Sequence, residues 1–302
     1  MNLLRLLRPH QWVKNAFVLL PVLFSGVLEA RGILNVSEVI LPVFVAFCAW
    51  SSAVYVLNDI VDRKADATHP RKKNRPIASG KVSVSLASVV GFLLVIVPIV
   101  WFTVQSVSGN EGENVSQHAL LVLVTGCAYL VNSLLYCFWV KKQAILDVFS
   151  IAFGFVIRIL AGCGALGVMP SSWILVCTFS VALFLGFGKR RAEIAILTPE
   201  NEFRSVLRNY SSEFLNILLA ISGSLSLMTY LLYTLDPHTA ELHHTQSLIF
   251  SVPFVFFGIF RYAQNVLSGK FDGPDEVLLR DPIFLINSIL WCICIQIIFM
   301  FR

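Results

Sequence analysis

The feature that most constrains this chain is a succession of apolar runs, each close to the length that crosses a bilayer. A hydrocarbon core about 30 Å thick takes roughly 20 apolar helical residues. Runs of that kind lie near residues 36–57, 82–104, 118–138, 145–168, 171–188, 213–235, 247–266 and 282–301. A shorter one lies near 14–30, where the clean apolar stretch runs from Ala16 to Leu28. Of the 302 residues, 57% are hydrophobic and 14% charged, against roughly 25% charged in a soluble domain. No Pro/Gly/Ser-rich linker or low-complexity tract divides the sequence, so it reads as one all-α, polytopic membrane domain over 1–302 with about nine transmembrane helices.

The basic residues support the weak first span. With the N-terminus in the cytoplasm and nine crossings, nineteen Lys and Arg fall on inner segments and two, Arg31 and Arg302, on outer ones. That asymmetry is the positive-inside signature, and it accounts for the net charge of +5 without any nucleic-acid partner. Arg5, Arg8 and Lys14 interrupt the start of the chain, so no cleavable leader is expected. Leu3, Leu4, Leu6 and Leu7 around those arginines suggest a short interfacial helix. The seven cysteines all sit in apolar runs without ligand spacing and read as small buried hydrophobes. The inner segments carry nearly all the chemistry-capable side chains, which places the expected polar cavity and active face on the cytoplasmic side of the inner membrane.

The most charged of those segments is YVLNDIVDRKADATHPRKKNRPIASG, Tyr55 to Gly80. On a helix Asn58, Asp62 and Asp66 recur at i, i+4 and i+8 and share a face, with Asp59 beside them. Acids so close together at a membrane surface repel one another and need a cation. Magnesium suits them, since it binds one or two carboxylates together with substrate phosphates and keeps several waters. Arg71, Lys72, Lys73 and Arg75 follow and are matched to those phosphates. The plainer alternative is a solvated loop whose acids and bases neutralise each other.

Other inner segments add candidates. Lys14, in RPHQWVKN, is either an orientation anchor or a phosphate ligand. The segment from Tyr136 to Asp147 carries Lys141 and Lys142, ordinary snorkelling residues on their own. Asp147 opens an apolar run and needs a partner or a metal; eleven residues on, three helical turns away, Arg158 lies deep in the next span. An intramembrane arginine is a functional candidate by default, and the plain alternative is a buried Asp147–Arg158 ion pair. Within GKRRAE, Lys189 and Glu193 stand nearest the membrane, and Asp281 before Pro282 reads as a helix N-cap.

Taken together, RPHQWVKN, the Tyr55 to Gly80 element, the Tyr136 to Asp147 segment, GFVIRILAG, GKRRAE and the RY…GPDEVLLRD ending resemble the UbiA superfamily of intramembrane prenyltransferases. They look most like its decaprenyl-phosphate phosphoribosyltransferase branch. The resemblance implies a UbiA-like helical bundle and magnesium-dependent transfer of the 5-phosphoribosyl group from phosphoribosyl pyrophosphate to a polyprenyl phosphate. It implies Asn58, Asp59, Asp62 and Asp66 as metal ligands and Asp62, Asp66 and Asp147 as catalytic. Lys14, Tyr55, Arg71, Arg75, Tyr136, Lys141, Arg158 and Lys189 are then substrate-binding. The expected partners are the two substrates and the bilayer, with oligomeric state and lipid chain length left open and room for a homo-oligomer.

The sequence departs from the aromatic prenyltransferases of that superfamily in lacking their second DxxxD motif, in whose place stand Asp147, Lys189 and Glu193. It also has Lys141-Lys142-Gln143-Ala144 where the branch has Lys-His and a later Pro. Two rival readings stay open: a prenyl diphosphate-dependent enzyme with a hydroxybenzoate or quinone-type acceptor, and a transporter for phosphate-bearing solutes.

Overall fold

The computed structural model describes residues 2–68, 72–107, 113–195, 205–269, 277 and 280–301. The α-helices among the described residues follow in chain order: α1 (Asn2–Leu7), α2 (Leu20–Phe24), α3 (Val27–Arg31), α4 (Ile33–Val61), α5 (Arg63–Thr68), α6 (Val84–Val107), α7 (Glu113–Phe138), α8 (Leu146–Leu166), α9 (Ser172–Ala195), α10 (Ser212–Leu235), α11 (Pro237–Leu242), α12 (Val252–Leu267) and α13 (Pro282–Met300). 3-10 helices precede α2, α6, α8, α10 and α12. No strand occurs among the described residues. Eight helices there are long and apolar enough to cross a membrane. They match the eight longer runs of the sequence, and the protein is an integral membrane protein.

The ninth expected span takes another form. Residues Pro9–Leu19 wind as a 3-10 helix, α2 follows directly, and the chain breaks at Ser25-Gly26, where Gly26 adopts φ 68°. A 3-10 helix rises about 2.0 Å per residue and an α-helix about 1.5 Å. The 11 residues of the first and the 5 of the second therefore extend about 30 Å, the thickness of a hydrocarbon core.

The chain divides into two compact units. The first is Met1–Trp139 with Gly154–Pro170, the second Val140–Phe153 with Ser171–Arg302, so that α8 contributes to both. In the first unit α4 packs against α6, α7 and the Pro9–Leu19 segment. Its core gathers Val18, Val43, Phe47, Trp50, Tyr129 and Leu166. In the second, α9 packs on α10 and α12, and α12 on α13, around Phe184, Leu219, Tyr262 and Val266. By contrast α6 and α13 are mostly exposed, and the outward Val89, Phe92, Val97, Val100 and Val104 of α6 present the apolar face that lipid requires.

Close approach of the Pro9–Leu19 segment to α8 depends on Gly162. A methyl group there would lie far inside van der Waals contact with the Val18 carbonyl oxygen and press on Pro21. Small residues allow such helix contacts in membranes. Gly162→Ala is expected to destabilise by about 1–3 kcal/mol, measured by thermal melting in detergent. Gly91→Ala, whose methyl would meet Val56 Cγ1 at an ordinary 3.4 Å, should leave the midpoint nearly unchanged.

Candidate active site

The acidic element lies where α4 ends. Asp62 is the C-cap of α4, and α5 begins at the next residue and carries Asp66. Backbone bonds continue across the junction, from the Asp62 N–H to Asn58 O at 2.9 Å and from the Asp66 N–H to Asp62 O at 2.8 Å. At about 100° per residue, Asn58, Asp59, Asp62 and Asp66 therefore occupy an arc of about 100°, as the sequence pattern requires. Asp59 and Asp66 are buried, while Asn58 and Asp62 are half-buried.

Two arginines answer the buried acids. Arg75 Nη1 bridges them, at 3.0 Å from Asp59 Oδ1 and 2.6 Å from Asp66 Oδ2, and Arg8 Nη2 approaches Asp59 Oδ1 at 2.5 Å. Arg8 also stacks over the Tyr55 ring, 5.0 Å from its centroid. Arg8 was not singled out in the sequence, because an arginine ahead of a membrane span is ordinarily an orientation signal. Asp59 Oδ2 is buried and accepts no hydrogen bond. A buried carboxylate oxygen without a donor is costly and is the kind of atom a hard cation would satisfy. Among the described residues no three His, Cys, Asp or Glu side chains are grouped tightly enough to hold a metal by themselves. Arg71 lies outside the described residues.

Deeper in the same unit, Arg158 is buried on α8. Its Nε donates to Asn15 Oδ1 at 2.8 Å, Nη1 to the Gly154 carbonyl at 2.8 Å and Nη2 to the Tyr129 hydroxyl at 3.2 Å. The rings of Tyr129, Phe155 and Phe47 lie 4.6, 5.6 and 6.0 Å from the guanidinium carbon. Asn15 is fully buried in the Pro9–Leu19 segment, beside half-buried Lys14. Asn15 closes the RPHQWVKN motif but was not singled out within it, and Tyr129 lies in no quoted motif; only the fold brings them to Arg158.

The second unit resolves Asp147 differently from the sequence expectation. Its partner is Arg190, whose Nε lies 2.7 Å from Asp147 Oδ2, while the Tyr210 hydroxyl donates to Asp147 Oδ1 at 2.7 Å. Arg190 Nη1 also reaches Glu193 Oε2 at 2.6 Å. The plain alternative, an ion pair of Asp147 with Arg158, does not form: Asp147 has Arg190 and Tyr210, and Arg158 has neutral acceptors. Asp147 has 0% exposure, and each of its oxygens has a hydrogen-bond partner. Arg190 was passed over for its neighbour Lys189, which is half-buried on α9. The signal available was its i, i+3 spacing to Glu193.

Tyr210 has a second task. Its oxygen accepts the Ile145 N–H at 2.6 Å in a turn where Ile145 takes φ 70°, a left-handed conformation that strains a β-branched residue. Burial, together with the Asp147 carboxylate it faces, pushes the Tyr210 phenol up, which keeps it a donor. Tyr136 and Lys141 are half-buried just before this turn. Asp281 caps α13 as expected, accepting from the Ile283 N–H at 3.1 Å. It is also held by Arg261 at 2.7 and 3.1 Å and by Asn265, and the Arg261 guanidinium keeps its carboxyl well below the ordinary range. Asp281 therefore stabilises the fold above its unfolded pKa, and that contribution is lost as pH falls through the lowered folded one.

Arg190→Gln leaves a buried, uncompensated carboxylate at Asp147 and is expected to cost about 3–5 kcal/mol, read as a lowered melting midpoint. Arg75→Gln removes the shared cation of Asp59 and Asp66. Without divalent ions its midpoint should fall, by about 1.5–3 kcal/mol of stability, and added magnesium should restore part of it. A midpoint indifferent to magnesium would remove these acids as metal ligands.

Residues 18–192 match the UbiA prenyltransferase family. The chain is 33% identical over 302 residues to the decaprenyl-phosphate phosphoribosyltransferase of Corynebacterium glutamicum, covering 97% of this chain and 85% of that one. It is 30% identical over 308 residues to the enzyme of the same name from Mycolicibacterium smegmatis, covering 96% and 90%. The fold is similar to that of a UbiA homologue from Archaeoglobus fulgidus solved with GPP and Mg2+, with a TM-score of 0.70 at 16% identity over 98% of this chain and 97% of that one. From its buried acidic element to its full-length likeness to these transferases, the chain belongs to the UbiA prenyltransferase family.

Proposed function

We propose that this UbiA-family transferase moves the 5-phosphoribosyl group of phosphoribosyl pyrophosphate onto the phosphate of a polyprenyl phosphate, at the cytoplasmic face of the inner membrane. Its relatives from C. glutamicum and M. smegmatis carry the name of that reaction over nearly the whole length of the chain. The observation that favours it over an aromatic prenyltransferase is the closure of Asp147 and Glu193 by Arg190. These acids stand where a second acidic motif would hold a metal on a prenyl diphosphate, and both already have their cation. The transporter reading has less support, because the acidic residues gather at the end of α4 and the start of α5 instead of at mid-span.

In the proposed reaction an ionised oxygen of the lipid phosphate forms a bond to the anomeric carbon as the bond to pyrophosphate breaks, and the electron pair leaves with pyrophosphate. The nucleophile carries its charge already, so no strong general base is needed and the absence of a catalytic histidine is no obstacle. Asn58, Asp59, Asp62 and Asp66 are the residues that would hold magnesium. The chemistry it supplies when bound is neutralisation of the charge that develops on the leaving pyrophosphate. Arg75, with Arg8 at its side, offers a cation for a diphosphate oxygen; Lys14 and Lys189 are assigned to substrate phosphates, and Lys141, Tyr55 and Tyr136 to substrate binding. The carboxylates of the α4 end favour positive charge building at the anomeric carbon. Asp147 is reassigned as a positioning residue that, through Tyr210, sets the strained turn at Ile145.

The test is transfer of label from phosphoribosyl pyrophosphate into organic-extractable lipid by purified protein supplied with a polyprenyl phosphate. Transfer should require magnesium. Asp62→Asn should lower the rate on the order of 10³-fold, several kcal/mol of transition-state stabilisation, with the melting midpoint preserved. Turnover of a prenyl diphosphate with an aromatic acid, and none of the phosphoribosyl donor, would sink the proposal.

A further inference from the structure

Arg8 follows α1 and adopts φ 52° and ψ 59°, a left-handed backbone that is uncommon for a residue with a Cβ. Several contacts hold it there. The Leu7 carbonyl just before it accepts the Ser52 hydroxyl at 2.9 Å, and the Ser52 oxygen takes the Trp12 indole N–H at 3.0 Å. Leu6 is fully buried beside Val56. Ser52, Tyr55, Val56 and Asp59 follow one another at helical spacing on α4. One face of that helix therefore holds the backbone ahead of Arg8, the ring beneath its guanidinium and the carboxylate at its tip.

These contacts converge on a single oxygen. Arg8 Nη2 and Arg75 Nη1 both bond Asp59 Oδ1, at 2.5 and 3.0 Å, while Oδ2 of the same carboxylate is buried and accepts nothing. For neutralising Asp59 alone, a fork across both oxygens is the stronger arrangement, and Arg261 makes that fork with Asp281. Between them the two guanidiniums balance Asp59 and Asp66 charge for charge. A divalent cation brought to Asp59 then meets a pair that is already neutral, and it repels the guanidiniums strongly away from water. Binding is relieved when one of them leaves. Arg75 is held by two carboxylates and Arg8 by one. The Arg8 side chain is also 19% exposed against 2% for Asp59, and the Tyr55 ring lies under its guanidinium as a rail along which it can turn.

We infer that Arg8 is an exchangeable counter-ion, which neutralises Asp59 in the absence of ligand and passes to a phosphate oxygen of the ligand when a divalent cation takes up that carboxylate. Ser52 and Trp12 are the positioning residues that fix its pivot. The coupling is reciprocal: a metal alone meets a resident cation, a diphosphate alone finds that cation engaged, and the two together release it and use it. The inference deepens the function proposed above and rests on its reading of the acidic element as the seat of a metal diphosphate.

The experiment measures equilibrium binding to the full chain in neutral detergent, with Mn2+ as a spectroscopically visible stand-in for magnesium. One arm titrates Mn2+ alone, followed by the EPR signal of the free ion. The other titrates radiolabelled inorganic pyrophosphate at saturating Mn2+. Arg8→Gln should bind Mn2+ alone about fivefold more tightly than the wild type, and Mn2+-pyrophosphate about fivefold more weakly. A purely structural counter-ion moves both affinities the same way or neither, so the opposite signs are what identifies exchange. Arg8→Lys keeps the charge and should return both affinities toward those of the wild type. Ser52→Ala, which frees the Leu7 carbonyl of its donor, should show the two signs at smaller size and decides the matter if Arg8→Gln fails to fold. Mn2+ affinity that is unchanged or weakened in the folded variants would overturn the inference, even in a protein that transfers the phosphoribosyl group. Opposite shifts in a protein that transfers none would end the proposed function and leave the exchange standing.

Discussion

A charged side chain removed from water must be answered by another group, and the polar architecture of this protein follows from how each is answered. Asp59 and Asp66 share Arg75, with Arg8 as a second cation on Asp59. Asp147 has Arg190 and a phenol, and Asp281 has Arg261, Asn265 and the first turn of α13. Desolvating a carboxylate without such partners costs several kcal/mol, so these pairs are conditions of folding before they are anything else. What distinguishes a candidate site from a structural pair is what remains after the pairing. Asp147 has nothing left over. Asp59 keeps one buried oxygen without a donor, and Arg158 has only neutral hydrogen-bond acceptors among the described residues.

The first segment shows how one residue ties the backbone to a polar network. Asn15 joins the 3-10 segment to α4 through Ser51 and to α8 through Arg158, and Gly162 lets the backbones approach. The 3-10 winding extends the segment, so that few residues cover a long distance. It also leaves half-buried Lys14 directly beside Asn15. The position of a candidate phosphate ligand is thus set by a neighbouring amide that never needs to touch substrate.

In the second unit the strained turn at Ile145 has a comparable logic. A β-branched residue in the left-handed region persists only where its surroundings over-determine it, and here the Tyr210 oxygen holds the Ile145 amide while its proton holds Asp147. Residues far apart in the chain are needed to fix one bend. The same closure gives Asp147 and Glu193 a shared cation in Arg190.

Much was legible in the sequence because bilayer thickness and helical rise together demand apolar runs of one length, and because acids spaced by helical turns share a face wherever the helix goes. The eight long spans, the arc of Asn58, Asp59, Asp62 and Asp66, and the capping role of Asp281 all follow from such local periodicity. The partners were not legible. That Asp147 would find Arg190 and Tyr210, that Arg158 would be met by Asn15 and Tyr129, and that residues 9–31 would wind as a 3-10 helix and two short α-helices are outcomes of long-range packing. Composition determined that this chain lives in a membrane and which of its residues carry chemistry. Only the tertiary structure decided which charges are cancelled and which are kept, because pairing depends on contacts between segments that no local spacing encodes.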